Sequence, residues 1–218
     1  MTGLVRKAAV LAACGVLFGA AVAFAGVPDP INSTVQSRIN LVGVDAGSGN
    51  ANGAAAGATF TVTVRDLAAN PIANSSVVLD FSLDLSDTRI ADTQPFAGLT
   101  TNCGTHGVSA LTDAGGVATF VVVGGGTSVL GAAHANNCKV FADGVLLGTT
   151  HVGYYDQDGV GGVAIPDLSR WAADFFGGTN PERSDYDDAG GVAVPDLSLW
   201  SATFFAGLSN QSAATYCP

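Results

Sequence analysis

The chain has 218 residues, 48% hydrophobic and only 12% charged, with 29 glycines and a formal net charge of −10. That acidic balance, with no basic stripe to neutralise phosphates, excludes a nucleic-acid partner. Low charge with abundant Gly, Ala, Val and Thr disfavours a helical bundle and suits short strands joined by turns.

Arg6 and Lys7 form a basic start, an apolar run extends from Ala8 to Val22, and Ala23-Phe24-Ala25 makes a cleavage site before Gly26. Residues 1–25 therefore read as a signal peptide. The expectation is a secreted protein, extracellular or at the cell surface, without a retained membrane span, because the run is short and rich in Ala and Gly. Leu11-Ala12-Ala13-Cys14 has lipobox chemistry and leaves a lipoprotein signal as the alternative. Cleavage leaves Cys103, Cys138 and Cys217 where disulfides persist. Cys103 and Cys138 share one strand-rich region and are the expected pair. Cys217 is then left over, as a free thiol or an intermolecular link.

After an N-terminal extension, 26–34, the pattern from 35 to 152 is β. Ala58 to Arg65 reads ATFTVTVR, with Phe60, Val62 and Val64 on one face, the alternation of a half-buried strand. Ser76–Leu83, Gly116–Val123 and Cys138–Ala142 continue the series. Asp143-Gly144 then separates CKVFA from VLLGTTHV, a two-residue hairpin signal, since Gly tolerates positive φ. The stretch from Asp45 to Gly57 has no phosphate-loop context and reads as a mobile surface loop, and Gly124-Gly125-Gly126 reads as a turn. Many short strands without intervening helices imply a β-sandwich.

Two of these stretches, FTVTVRDLAANPIANSSVVLDFS and ALTDAGGVATFVV, resemble bacterial Ig-like domains of the invasin and intimin type. The resemblance implies a mainly β chain with an Ig-like β-sandwich over 35–152, serving as spacer, adhesin or assembly unit. The segment from Asp84 to His106, which carries Cys103, is longer than that family's usual connection.

Beyond it the chain writes one line twice. DQDGVGGVAIPDL starts at Asp156 and DYDDAGGVAVPDL at Asp185, a period of 185 − 156 = 29 residues. Each copy places Asp at loop positions 1, 3 and 12 and Gly at position 6, the pattern of a loop that wraps a hard cation in oxygens. A helix-period stripe follows: Leu168, Trp171, Ala172 and Phe175, then Leu197, Trp200, Ser201 and Phe204. The two tryptophans read as buried core. Gly177-Gly178 sits where the first helix should end.

Two such loops, each with Asp at position 12 and one following helix, resemble a dockerin module over 153–207, leaving 208–218 as a C-terminal tail. The resemblance implies calcium ligands Asp156, Asp158 and Asp167 with the Gly162 carbonyl, and Asp185, Asp187 and Asp196 with the Gly191 carbonyl. The chain departs from the pattern at position 5, Val160 and Ala189, and at position 9, Ala164 and Ala193. Two outcomes stay open: weak calcium binding, with Kd about 10⁻⁴ to 10⁻³ M, or loops that have lost the ion and persist as packed turns. The residues before the position-12 Asp, where cohesin-binding dockerins choose their partner, are Ile165-Pro166 and Val194-Pro195, an apolar pair duplicated. They read either as a partner surface or as the contact that docks this module on the sandwich.

No catalytic constellation stands out. His106, His134 and His151 fit no H-E-x-x-H spacing, and no G-x-S-x-G elbow occurs. The expected protein is thus a non-catalytic one for protein–protein attachment, to a cohesin-like domain. The alternative is a self-assembling homo-oligomer, the subunit of a filament or surface layer, with residues 26–40 pairing against a neighbour's sheet edge.

Overall fold

The computed structural model describes residues 26–45, 48–49, 51–53, 55, 57–127, 137–178, 181–205 and 211–218. The signal segment, Cys14 and His134 lie outside them. The fold is mainly β with a small helical part, and among the described residues no helix is long and apolar enough to cross a membrane.

Alternation sets the layers. β1 (Thr34–Val35), β3 (Phe60–Thr63) and β8 (Val117–Phe120) form one sheet in the order β1-β3-β8. The facing sheet has six strands: β2 (Arg38–Leu41), β4 (Ser76–Asp80), β6 (Thr100–Asn102), β7 (Gly107–Leu111), β10 (Cys138–Ala142) and β11 (Val145–Tyr154), in the order β2-β11-β10-β4-β7-β6. Phe60, Val62 and Phe120 from the first meet Ile39, Leu79, Val108, Val140 and Val152 from the second in one buried core. Asp143 and Gly144, both at positive φ, make the hairpin turn between β10 and β11, as the sequence predicts.

The opening segment is used within its own chain. β1 pairs antiparallel with β3, and β2 then crosses to the other sheet and runs parallel to β11, His151 opposite Arg38 and Tyr154 opposite Leu41. Residues 34–41 are therefore paired within their own chain, with β1 and β2 each at the edge of its sheet.

The disulfide differs from the expected one. Cys103 bonds to Cys217, with Cα atoms 5.0 Å apart, and Cys138 is a free, buried thiol. Sequence proximity misleads because Cys138 opens β10 and faces the core between the sheets, whereas Cys103 sits on the turn between β6 and β7. The C-terminal tail comes back to that turn: the Cys217 amide donates to the Ile90 carbonyl at 2.9 Å. With 114 residues between its ends, this bond stabilises the fold by about 5 kcal/mol in the chain-entropy model.

A second core joins the sandwich to the repeats. Val42, Val121 and Val123 pack with Trp171, Trp200, Tyr155 and Tyr186, and Ala55 and Ala58 lie among them. Of the described part of the Gly/Ala stretch, Asn52 and Ala55 are buried while Ser48, Gly49, Gly53 and Gly57 are exposed, so a surface segment turns two residues inward. The three glycines are no simple turn either. Gly124–Gly125 is a short strand, β9, paired with β5 (Arg89–Ile90), and the Gly126 amide donates to the Asp156 carbonyl at 2.8 Å. A Cβ on Gly126 would lie 2.2 Å from the Gln157 carbonyl oxygen, so only glycine allows this approach of backbone to backbone.

Three helices complete the chain: α1 (Ile165–Gly177), α2 (Pro181–Ser184) and α3 (Val194–Phe205). α1 stops at Gly178, whose left-handed backbone lets its amide donate to the Asp174 carbonyl at 2.9 Å. On α2, Arg183 is fully buried. Its Nε and Nη2 donate to the two carboxylate oxygens of Asp174 at 2.7 and 2.9 Å, and Nη1 lies 3.8 Å from Asp87 of the sandwich. Asp87 in turn accepts from the Tyr154 hydroxyl.

Two outcomes are expected. Non-reducing peptide mapping should recover a Cys103–Cys217 peptide pair, and the Cys103→Ala/Cys217→Ala variant should lose about 2–5 kcal/mol in urea unfolding. Arg183→Ala leaves buried carboxylates without their cation and should lose about 3–5 kcal/mol.

Candidate metal centre

Both repeated loops bring their three carboxylates together. In each of the sets Asp156, Asp158, Asp167 and Asp185, Asp187, Asp196, one carboxylate oxygen from every residue lies within 4.8 Å of the others. Asp156, Asp167, Asp185 and Asp196 are buried, while Asp158 is half-buried and Asp187 exposed.

The position-12 carboxylates are held identically. Asp167 Oδ1 accepts from the amides of Gln157 (2.6 Å) and Asp158 (3.1 Å), and Oδ2 from that of Ala164 (2.7 Å). Asp196 Oδ1 accepts from Tyr186 (2.6 Å) and Asp187 (3.2 Å), and Oδ2 from Ala193 (2.8 Å). Each is the third residue of its helix, so one carboxylate closes the loop and also takes up the free amide at the helix start. Position 5, where an oxygen donor is missing, turns its amide inward: Val160 N donates to Asp158 Oδ1 at 2.9 Å and Ala189 N to Asp187 Oδ1 at 3.0 Å. A carboxylate offers about four lone-pair sites. Three amide bonds therefore leave Asp167 and Asp196 about one free lone-pair site each.

Gly162 and Gly191, at position 7, both have positive φ, but their amides go to different partners. The Gly191 amide donates to Asp185 Oδ2 at 2.8 Å, within its own loop. The Gly162 amide donates instead to Ser212 Oγ at 2.8 Å, and the Ser212 hydroxyl donates to Asp156 Oδ2. Ser212 belongs to the C-terminal tail and resembles nothing in the repeat, so sequence carries no signal for it.

The apolar pairs lie at the helix starts. Ile165 and Val194 are 59% and 65% exposed, and Pro166 and Pro195 are exposed beside them, so none of the four is spent on docking to the sandwich. Docking uses other residues. Asn40 donates to the Tyr186 carbonyl at 2.9 Å, Arg38 to the Glu182 carbonyl at 2.6 Å, and His151 Nδ1 lies 2.6 Å from Glu182 Oε2. Trp171 and Trp200 are buried, each stacked on the phenylalanine four residues on.

No family model, curated protein or solved structure matches the chain.

Burial raises the pKa of Asp167 to about 7, reinforced by the charges of Asp156 and Asp158 and opposed by its amide donors. Burial also raises Asp156 and Asp196. A carboxyl whose pKa is higher folded than unfolded contributes stability that is complete below the unfolded value and lost as pH rises through the folded one. Metal-free protein should therefore lose thermal stability between about pH 4 and pH 7, and Asp167→Asn should flatten that slope. Differential scanning calorimetry in chelator across this range checks both.

Proposed function

We propose that the chain is an exported, non-catalytic attachment protein: an Ig-like sandwich with a dockerin-like repeat pair, whose two loops bind calcium weakly and whose helix starts meet a protein partner. The observation that carries the reading is the repetition of one arrangement, three carboxylates at matched positions with matched amide donors, in both copies. A hard cation suits this donor set, because it relieves the repulsion among carboxylates whose oxygens lie within 4.8 Å of one another, most of them buried. Asp156, Asp158, Asp167 and the Gly162 carbonyl would hold one ion. Asp185, Asp187, Asp196 and the Gly191 carbonyl would hold the other. The Ig-like part of the reading is supported by strand order, since β11-β10-β4 and β3-β8 fall where that fold places its G-F-C and B-E neighbours.

A second reading, self-assembly, is favoured by one feature. α1 exposes Ile165, Ser169, Ala173 and Phe176, and α3 exposes Val194, Ser198, Ala202 and Phe205. Neither stripe carries a charge, in a chain of net charge −10, and Phe176 and Phe205 are 84% and 83% exposed. Exposed aromatic rings among uncharged neighbours mark a contact surface.

Thermal unfolding of residues 26–218 in chelator and then in about 10 mM calcium tests the metal. With Kd about 10⁻⁴ to 10⁻³ M, each filled site should add about 1.4–2.7 kcal/mol, and Asp156→Asn/Asp185→Asn should remove most of the gain. Unchanged stability would overturn the calcium reading. Light scattering on the same samples decides between the two readings. A monomer at every concentration favours a foreign partner, and growth that Phe176→Ser/Phe205→Ser abolishes favours self-assembly.

A further inference from the structure

Residues 211–218 touch four separate parts of the molecule. The Gln211 and Val44 backbones exchange two hydrogen bonds of 2.7 Å. Ser212 sits in the first loop, between Asp156 and the Gly162 amide. Thr215 donates to Asp92 at 2.6 Å and Tyr216 bridges to Ala91, beside β5. Cys217 is bonded to Cys103, and the Pro218 carbonyl oxygen lies 2.7 Å from His106 Nε2.

We propose that this tail is a redox-released strap that holds the first loop in shape while leaving the second indifferent. The internal comparison carries the argument. In the second loop, Asp185 receives the Gly191 amide directly, so the loop closes on itself. Both loops keep a direct bond from the position-5 amide to the position-1 carboxylate, Val160 to Asp156 and Ala189 to Asp185. In the first loop, however, the Gly162 amide reaches Asp156 only through the Ser212 hydroxyl, so the position of Gly162 depends on a segment whose covalent anchor is a disulfide. That anchor is reachable, because Cys103 is partly exposed and lies between exposed Asn102 and Gly104. The third thiol does not compete: Cys138 is buried, and burial pushes its pKa well up.

The reductant is a dithiol. Its thiolate attacks Cys103 Sγ, the S–S bond breaks, and Cys217 leaves as a thiolate that takes up a proton. The second thiol of the reductant then resolves the mixed disulfide, releasing Cys103 as a thiol and closing the reductant to its own disulfide. Ser212 then loses its fixed position, and the Gly162 amide loses its acceptor and its link to Asp156. The inference goes beyond the proposed function and holds whether or not the loops take calcium. If they do, linkage makes the first loop the redox-responsive half.

The test is amide hydrogen exchange on residues 26–218 in chelator, oxidised and in dithiothreitol, with Ser212→Ala as a second variant. Reduction should speed exchange at Gly162 by about tenfold or more while Gly191, whose amide is held within its own loop, stays within about twofold. Ser212→Ala should reproduce the Gly162 effect with the disulfide intact. Equal loosening of both loops, or loss of protection at Leu79 and Val140 on reduction, would show a general staple and overturn the strap. So would an unchanged Gly162 in Ser212→Ala.

Discussion

A guanidinium kept wholly out of water fixes how this molecule is put together. Arg183 comes from the short helix between the two repeats, one of its carboxylates from α1, the other from the sandwich. Desolvating such a charge is costly unless every face finds a partner, so the pieces supplying those partners cannot separate independently. The buried Tyr154 hydroxyl on Asp87 extends the same network into β11. The repeat pair is consequently part of the body of the protein. The helix starts and exposed phenylalanines are what it leaves free.

The duplication has diverged most where the copies meet. Tyr155 and Ser184 occupy equivalent positions in the two repeats, as do Gln157 and Tyr186, each pair 29 residues apart. Tyr155 stacks on Tyr186 with ring centroids 4.4 Å apart, and Gln157 donates to Ser184 at 2.8 Å and to the Tyr186 hydroxyl at 3.1 Å. Two identical tyrosine-and-tyrosine or glutamine-and-serine halves would have to fit one shared space twice. Complementary residues fill it once, with an aromatic stack on one side and the two hydrogen bonds of the Gln157 amide nitrogen on the other. The two carboxylate loops keep Asp at the same three positions.

What the sequence made legible was local. Alternation located β3, β4, β8 and β10, and the turn at Asp143-Gly144 fixed a hairpin. Loop spacing located both carboxylate sets, and the stripes from Leu168 and Leu197 located α1 and α3, though each helix starts three residues earlier, inside its loop. What stayed hidden depends on contacts between distant segments. Cys217 reaches Cys103 only because the tail crosses the first loop, and Ser212 becomes a loop residue by the same route. The glycines at 124–126 look like a turn in sequence, since close backbone approach and left-handed backbone call for the same residue. α2 is four residues long, too short for any period to show.

The Cys103–Cys217 bond also has a mechanical meaning. Tension applied between residue 26 and Pro218 would pass from Cys103 straight to Cys217. The 114-residue separation between them, with the hairpin, both carboxylate loops and all three helices, lies inside a covalent bypass. Only the chain before Cys103 can be drawn out, beginning with β1 and β2 peeling or shearing from the two sheets they join. Under force the oxidised molecule lengthens only through the segment before Cys103, and the repeat pair lies beside the load path without carrying the pull.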